Sequence, residues 1–157
     1  MDRLIVLLNK NYDGEPWHGP SLKSVLNGVD AKAACARPYE SAHNIWELVS
    51  HLTSWYAEVA RRLNGRPAAE PSEGDWPHTA DCSEVEWARA LAGLAEAKDR
   101  LVDAVRKFPP ERWDDPVADP RDPASTVTFF ETAEGVLQHT AYHAGQIRLL
   151  RTIVQGN

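Results

Sequence analysis

Two of the six histidines in this 157-residue chain, His139 and His143, stand four apart in the segment VLQHTAYHAGQIRLL, Val136 to Leu150. On a helix each residue advances by about 100°, so Thr132, Val136, His139, His143, Gln146, Ile147 and Leu150 share one stripe, while Glu134, Arg148 and Arg151 fall elsewhere. The stripe thus carries two imidazoles and an amide amid apolar residues and faces inward, where a polar group without a partner costs roughly 1 to 3 kcal/mol. Two imidazoles one turn apart meet that demand either by hydrogen bonding within the core or by gripping one metal ion together. The spacing alone leaves both open. A third imidazole bears on the choice: His51 lies beside Trp55 at the edge of an upstream helix's apolar stripe, where it can point inward or touch water. Facing helices of a bundle can bring such a residue against an i, i+4 pair, which is how metal sites in bundles are built.

The elements that must position these residues are helical throughout, and no strand-like alternation of any length occurs. The first segment is split: Leu4 to Asn11 reads as helix, YDGEPWHGP breaks it, and SLKSVLNG resumes a short helix capped by Ser21, with a further turn at Asp30 to Cys35. The second starts near Ser41 or His43 and carries NIWELVSHLTSWYAEVARRLNG, with Leu48, Leu52, Trp55 and Val59 on one face and Gly65 as its stop. The third is SEVEWARALAGLAEAKDRLVDAVRKF, where Ser83 caps, Glu86 completes a capping box and Pro109 with Pro110 ends the run. Its apolar stripe comprises Val85, Leu91, Leu94, Leu101, Val105 and Phe108. The prolines and aspartates of PPERWDDPVADPRDPAST predict a long ordered loop or a short turn of helix before the fourth helix, Thr128 to Val154. Inner faces of four such helices must meet, so the expected fold is an all-α four-helix bundle, residues 1–157 forming one domain.

Bulk properties narrow the function classes. The net charge is −6, and the 17 Lys and Arg form no basic run, which speaks against a nucleic-acid surface, including action on DNA. The apolar patch in MDRLIVLLNKNYDG is too short for a signal peptide, and no stretch reaches membrane-spanning length. A soluble, cytoplasmic protein is expected, without a membrane partner. Cys35 and Cys82 lie far apart with no CxxC pair, and both read as reduced, inert residues.

NIWELVSHLTSWY on the second helix and HTAYHAGQI on the last, together with GEPWHGPSLKSVLNG upstream, resemble the DinB/YfiT-like superfamily of bacterial metal-binding four-helix bundles. The likeness extends over most of the chain. It implies an up-down-down-up bundle in which three histidines, here His51, His139 and His143, hold a divalent metal. Some members of that superfamily transfer bacillithiol, mycothiol or related thiols, and others are described loosely as hydrolases.

Three neutral imidazoles would bind zinc at about 2.0 to 2.1 Å and leave at least one position free, as catalytic sites do. With no thiolate or carboxylate among the ligands the ion keeps its full positive charge and favours an anion. Two reactions follow. In a hydrolase the ion lowers the pKa of water toward about 7; in a transferase it deprotonates a low-molecular-weight thiol beside an electrophilic small-molecule substrate. Transfer is the favoured reading, with zinc or nickel as the ion. The remaining class is a non-catalytic metal- or ligand-binding protein, against which the missing fourth ligand speaks. A homodimer is compatible with all three.

Further candidates surround the triad. Gln146, on the same stripe, can hydrogen-bond a ligand or solvent at the ion, or satisfy a neighbouring helix. Trp17 suits a pocket rim or a loop aromatic over the core, and His18 beside it is a candidate acid, base or substrate contact. Trp55 and Tyr142 can form pocket walls or ordinary core. Glu47 and Glu58 can orient His51 through its second nitrogen or lie at the surface. His43 and His78 are assigned no chemistry.

Overall fold

The structure, a computed structural model, describes residues 2–77 and 81–156. It is all-α: α1 Asp2–Asp13, α2 Leu22–Leu26, α3 Ala31–Cys35, α4 Ile45–Leu63, α5 Glu84–Lys107 and α6 Phe129–Gln155, with one 3-10 turn at Pro110–Arg112 and no strand among the described residues. No helix among these residues is long and apolar enough to cross a membrane.

Local chemistry sets the ends of the two helices that carry the histidines. The Asn44 side chain accepts the Glu47 N–H at 2.8 Å while the Glu47 carboxylate accepts the Asn44 N–H at 3.0 Å. This reciprocal box starts α4 at Ile45, just after Ser41 and His43. Thr128 and Glu131 form the same box at α6. Gly65, at φ +85°, supplies the left-handed residue that closes α4.

Two caps differ from the sequence expectation. Ser83 accepts the Glu86 N–H at 3.3 Å, but the Glu86 carboxylate turns to Arg89 and leaves the box half made. Ser21 precedes α2 without a side-chain cap, its hydroxyl buried with the core. On α5, Val85 is 61 % exposed whereas Trp87 is buried. The helix phase explains it: Trp87, Leu94 and Leu101 recur every seven residues on the inward face, and a residue two before Trp87 points away from it.

The cysteines are the largest departure. Cys35 and Cys82 form a disulfide with a Cα–Cα distance of 6.0 Å across 47 residues of sequence. They meet because the start of α5 lies against the α3 region: the Ala31 N–H donates to Glu84 Oε1 at 2.9 Å and the Trp87 indole N–H to the Val29 carbonyl at 2.7 Å. A pairing made by tertiary packing leaves no local motif to read.

α4 packs most extensively on α5 and also against α6. Between α4 and α6 the buried Tyr56 hydroxyl meets Thr140 Oγ1 at 2.9 Å. Burial and this pairing fix the α4–α6 register beside the histidines, and removing one buried partner of such a bond costs about 1–3 kcal/mol. The loop before α6 is ordered: Val117 N–H donates to the Val127 carbonyl at 2.8 Å, Phe129 N–H to Asp115 at 3.1 Å, and the Ala68 N–H reaches the Ala118 carbonyl at 2.7 Å.

Candidate metal centre

α4 presents His51 and α6 presents His139 and His143 to one point. His51 and His143 are buried and His139 is partly so. His139 Nε2 lies 2.9 Å from His51 Nε2 and 2.8 Å from His143 Nε2. Nitrogens sharing one ion at about 2.0 to 2.1 Å stand roughly 3 Å apart, so the spacing suits ligands of a common ion.

The opposite side of each ring decides where the lone pairs point. His51 Nδ1 lies 2.6 Å from the backbone carbonyl oxygen of Asp75. A carbonyl only accepts, so Nδ1 carries the proton and Nε2 the lone pair. His143 Nδ1 lies 2.6 Å from Gln146 Oε1, and the same amide's nitrogen donates to the Tyr142 hydroxyl at 3.2 Å. With His143 donating through Nδ1, its Nε2 also offers a lone pair. His139 Nε2 can donate to one of its two neighbours at most, so the lone pairs of His51 and His143 cannot both be satisfied by it. A cation among the three nitrogens satisfies them together. Three histidines are thus positioned to bind a metal ion, and the group contains neither cysteine nor carboxylate.

Protonation supports the same reading. Burial first, then repulsion from the imidazoles of His143 and His51, pushes His139 down to about 4. Burial also lowers His143, partly opposed by its bond to Gln146. Both rings are therefore neutral near pH 7, the form that binds a metal.

The remaining candidates divide sharply. Trp55 stands edge-on to both His51 and His139, at 6.3 and 6.2 Å between ring centroids, and its indole N–H donates to Asp75 Oδ1 at 2.7 Å. Tyr142 is exposed, its ring 5.0 Å from His143. Trp17, by contrast, stands fully in solvent. His18 is exposed and hydrogen-bonds Asn11 at 3.2 Å, and neither residue lines the cavities beside the histidines. Neither Glu47 nor Glu58 is the partner of His51. Glu47 caps α4 and pairs with His43 and Arg37. Glu58 is buried rather than at the surface; it accepts from Arg61 at 2.7 Å, Arg62 at 2.8 Å and the Ala69 N–H at 2.9 Å. His78 lies outside the described residues.

Sequence reasoning missed Asp75 and Trp76, both in the connection between α4 and α5. The Trp76 ring stacks on His51 at 4.0 Å and 10°, and its other neighbour His43 stacks on it at 3.5 Å and 3°. Asp75 works largely through its backbone carbonyl, which has no residue-type signature. Glu58 holds the start of this connection through Ala69, and the disulfide holds its end. The only available signal was an aromatic in a Gly- and Pro-bounded loop.

Two cavities flank the histidines. One of about 280 Å³ opens past His139, between Trp55, Val59, Val127 and Val136, with Arg62 at its rim. The other, of about 450 Å³, opens past His143 and Gln146.

Comparison with curated proteins and with solved structures returns no match. The DinB superfamily profile matches residues 18–147, a span that takes in α2 to the C-terminal half of α6 and all three converging histidines, and the chain belongs to the DinB superfamily.

Proposed function

We propose that this protein is a metal-dependent enzyme that transfers a small-molecule thiol, of bacillithiol or mycothiol type, to an electrophilic small molecule. In this reading the chain is a single four-helix bundle domain of up-down-down-up order, and His51, His139 and His143 hold one divalent ion, zinc or nickel. The observation that carries it is the proton assignment: Asp75 and Gln146 tie up the Nδ1 protons of His51 and His143, so that neutral rings aim their lone pairs at one point. A divalent ion held there supplies positive charge that lowers a thiol's pKa and stabilises the thiolate.

The chain's own residues supply positioning and exclusion. The Asp75 carbonyl and the Gln146 amide hold two rings in the required tautomer, and Trp55 fixes Asp75 by its indole bond. Such outer partners are typically worth about 10- to 100-fold in metal affinity. Trp76 covers one face of His51 and keeps water from it. Both cysteines of the chain are consumed in the disulfide, so no side-chain thiolate competes for the ion, and a sulfur nucleophile has to arrive on a small molecule. Cavities on both sides of the centre suit a reaction in which two molecules meet.

Cobalt-substituted protein titrated with a small thiol tests this. Sulfur-to-metal charge-transfer absorption in the near ultraviolet should grow with thiol and be absent from the His143→Ala variant. A spectrum unmoved by thiol but perturbed by carboxylate anions would replace transfer with hydrolysis.

A further inference from the structure

Metal binding does not account for the larger cavity beside the histidines. Tyr39, Trp76 and Tyr142 form its aromatic walls, and Leu149 and Ile153 continue it outward along α6. Eleven large hydrophobic side chains are exposed among the described residues, and these five meet in this one groove. Exposed apolar residues scattered singly need no explanation, whereas a concentrated patch marks a site. Tyr142, Leu149 and Ile153 recur at spacings of seven and four, which places them on one helical face.

The groove's charge and position restrict its occupant. Among the described residues no Lys, Arg, Asp or Glu lines it. Its one imidazole among those residues, apart from His143, is His43, whose ring is stacked on Trp76 and whose Nδ1 lies 3.1 Å from the Glu47 carboxylate. A ligand charged along the body of the groove, away from the metal centre, would lose hydration there without gaining a counter-charge. His143 and Gln146 line the inner end, so a ligand seated in the groove abuts the metal centre. Its volume of about 450 Å³ falls within the roughly 300–1,000 Å³ of small-molecule pockets. Tyr142 accepts the Gln146 N–H through its hydroxyl oxygen, which leaves the phenolic proton free to meet an acceptor on the ligand.

We infer that this groove binds an uncharged aromatic or alicyclic small molecule, and that this molecule is the electrophile of the transfer: the thiol adds across its polarised double bond, the sulfur forming a C–S bond at one carbon and the thiol proton ending on the other, so that no leaving group is released. Its role as electrophile rests on the transferase reading; the chemistry of the bound ligand rests on the groove alone. The ring system lies among Tyr39, Trp76 and Tyr142, and its reacting end faces His143.

The test is binding of a neutral fluorophore, N-phenyl-1-naphthylamine, to the full chain, read by fluorescence enhancement. Saturable binding is expected, weakened at least about tenfold by Leu149→Arg and by Ile153→Arg. Both side chains are exposed, so these variants should keep wild-type circular dichroism and metal content. Gly135→Leu, in the smaller cavity where a Cβ meets nothing within 4 Å, should leave dye binding unchanged. The anionic relative 1-anilinonaphthalene-8-sulfonate should bind more weakly than the neutral dye. The inference falls if the wild type shows no saturable binding, if both arginine variants bind as tightly as wild type, or if the anionic dye binds as well as the neutral one. It also falls if sedimentation shows a wild-type dimer that Leu149→Arg dissociates while the dye fails to bind, since the groove is then an interface between copies. Dye binding that behaves as expected alongside a cobalt spectrum blind to thiol upholds the groove and removes only the transferase reading.

Discussion

Replacing Cys35 and Cys82 together by Ser removes the one covalent tie between the α3 region and the start of α5. The disulfide spans 47 residues, and closing a loop of that length in the unfolded chain removes entropy equivalent to about 4 kcal/mol at 25 °C. Serine itself adds little, because Cys82 is exposed and Cys35 only partly buried. For chains of about 150 to 250 residues, each kcal/mol moves the melting temperature by roughly 2–4 °C, so the double variant should melt about 8–16 °C lower. Differential scanning calorimetry of the wild type, the wild type with reductant and the double variant measures this directly. The reduced wild type should track the variant, because both lose the same constraint on the unfolded ensemble. A double variant melting within about 2 °C of the oxidised wild type would refute the loop-entropy reasoning.

Glu58→Ala should destabilise the fold by about 3–5 kcal/mol in urea denaturation, since it strips a buried carboxylate from Arg61 and Arg62. Burial would raise the Glu58 pKa, but hydrogen bonds from Arg61, Arg62 and the Ala69 N–H outweigh it and hold the group below its ordinary value. Its contribution is therefore present above the unfolded pKa of about 4.3 and lost as pH falls through the folded value, so the melting curves of wild type and Glu58→Gln should converge in acid. Gln146→Leu should weaken metal binding about 10- to 100-fold in competition with a chelator, with partial rescue by Gln146→Glu, which restores an acceptor for His143 Nδ1. Because His139 is held at about 4 and His143 below its ordinary value, protons compete for these two ligands only at lower pH than an unperturbed histidine at about 6.5 would allow. Metal retained after dialysis should thus survive near pH 6 and decline toward about pH 4–5; half-loss near 6.5 would contradict those shifts. The chelated protein should keep its far-UV circular dichroism, because the apolar core contains the large side chains of α4, α5 and α6 independently of the histidines.

The features legible in the sequence were those encoded within one helix. Apolar periodicity placed α4, α5 and α6 to within a few residues, Ser83 and Thr128 marked two starts, and the i, i+4 spacing of His139 and His143 put both on the inward stripe. His51 was readable only as an edge residue, and what turns it inward is the Asp75 carbonyl, a backbone atom in a connection with no periodicity. Trp76 and the disulfide escaped for the same reason: each depends on where a loop lands after the helices pack. Glu58 read as either an orienter of His51 or a surface carboxylate and is neither: Arg61, Arg62 and the Ala69 amide are what permit its burial. Val85 was misplaced by two residues of helical phase, a shift that rotates a side chain by about 200°.

Metal content per chain after exhaustive dialysis, measured by inductively coupled plasma mass spectrometry for the wild type and for His139→Ala, tests the three-histidine centre most directly. His139 Nε2 contacts both other ligand nitrogens, at 2.9 and 2.8 Å, so its loss opens the cluster while the fold, judged by circular dichroism, stays intact. The expected result is one divalent ion per wild-type chain and none in the variant. Stoichiometric metal in folded His139→Ala, or a wild type that holds none after loading with zinc or nickel, would contradict it.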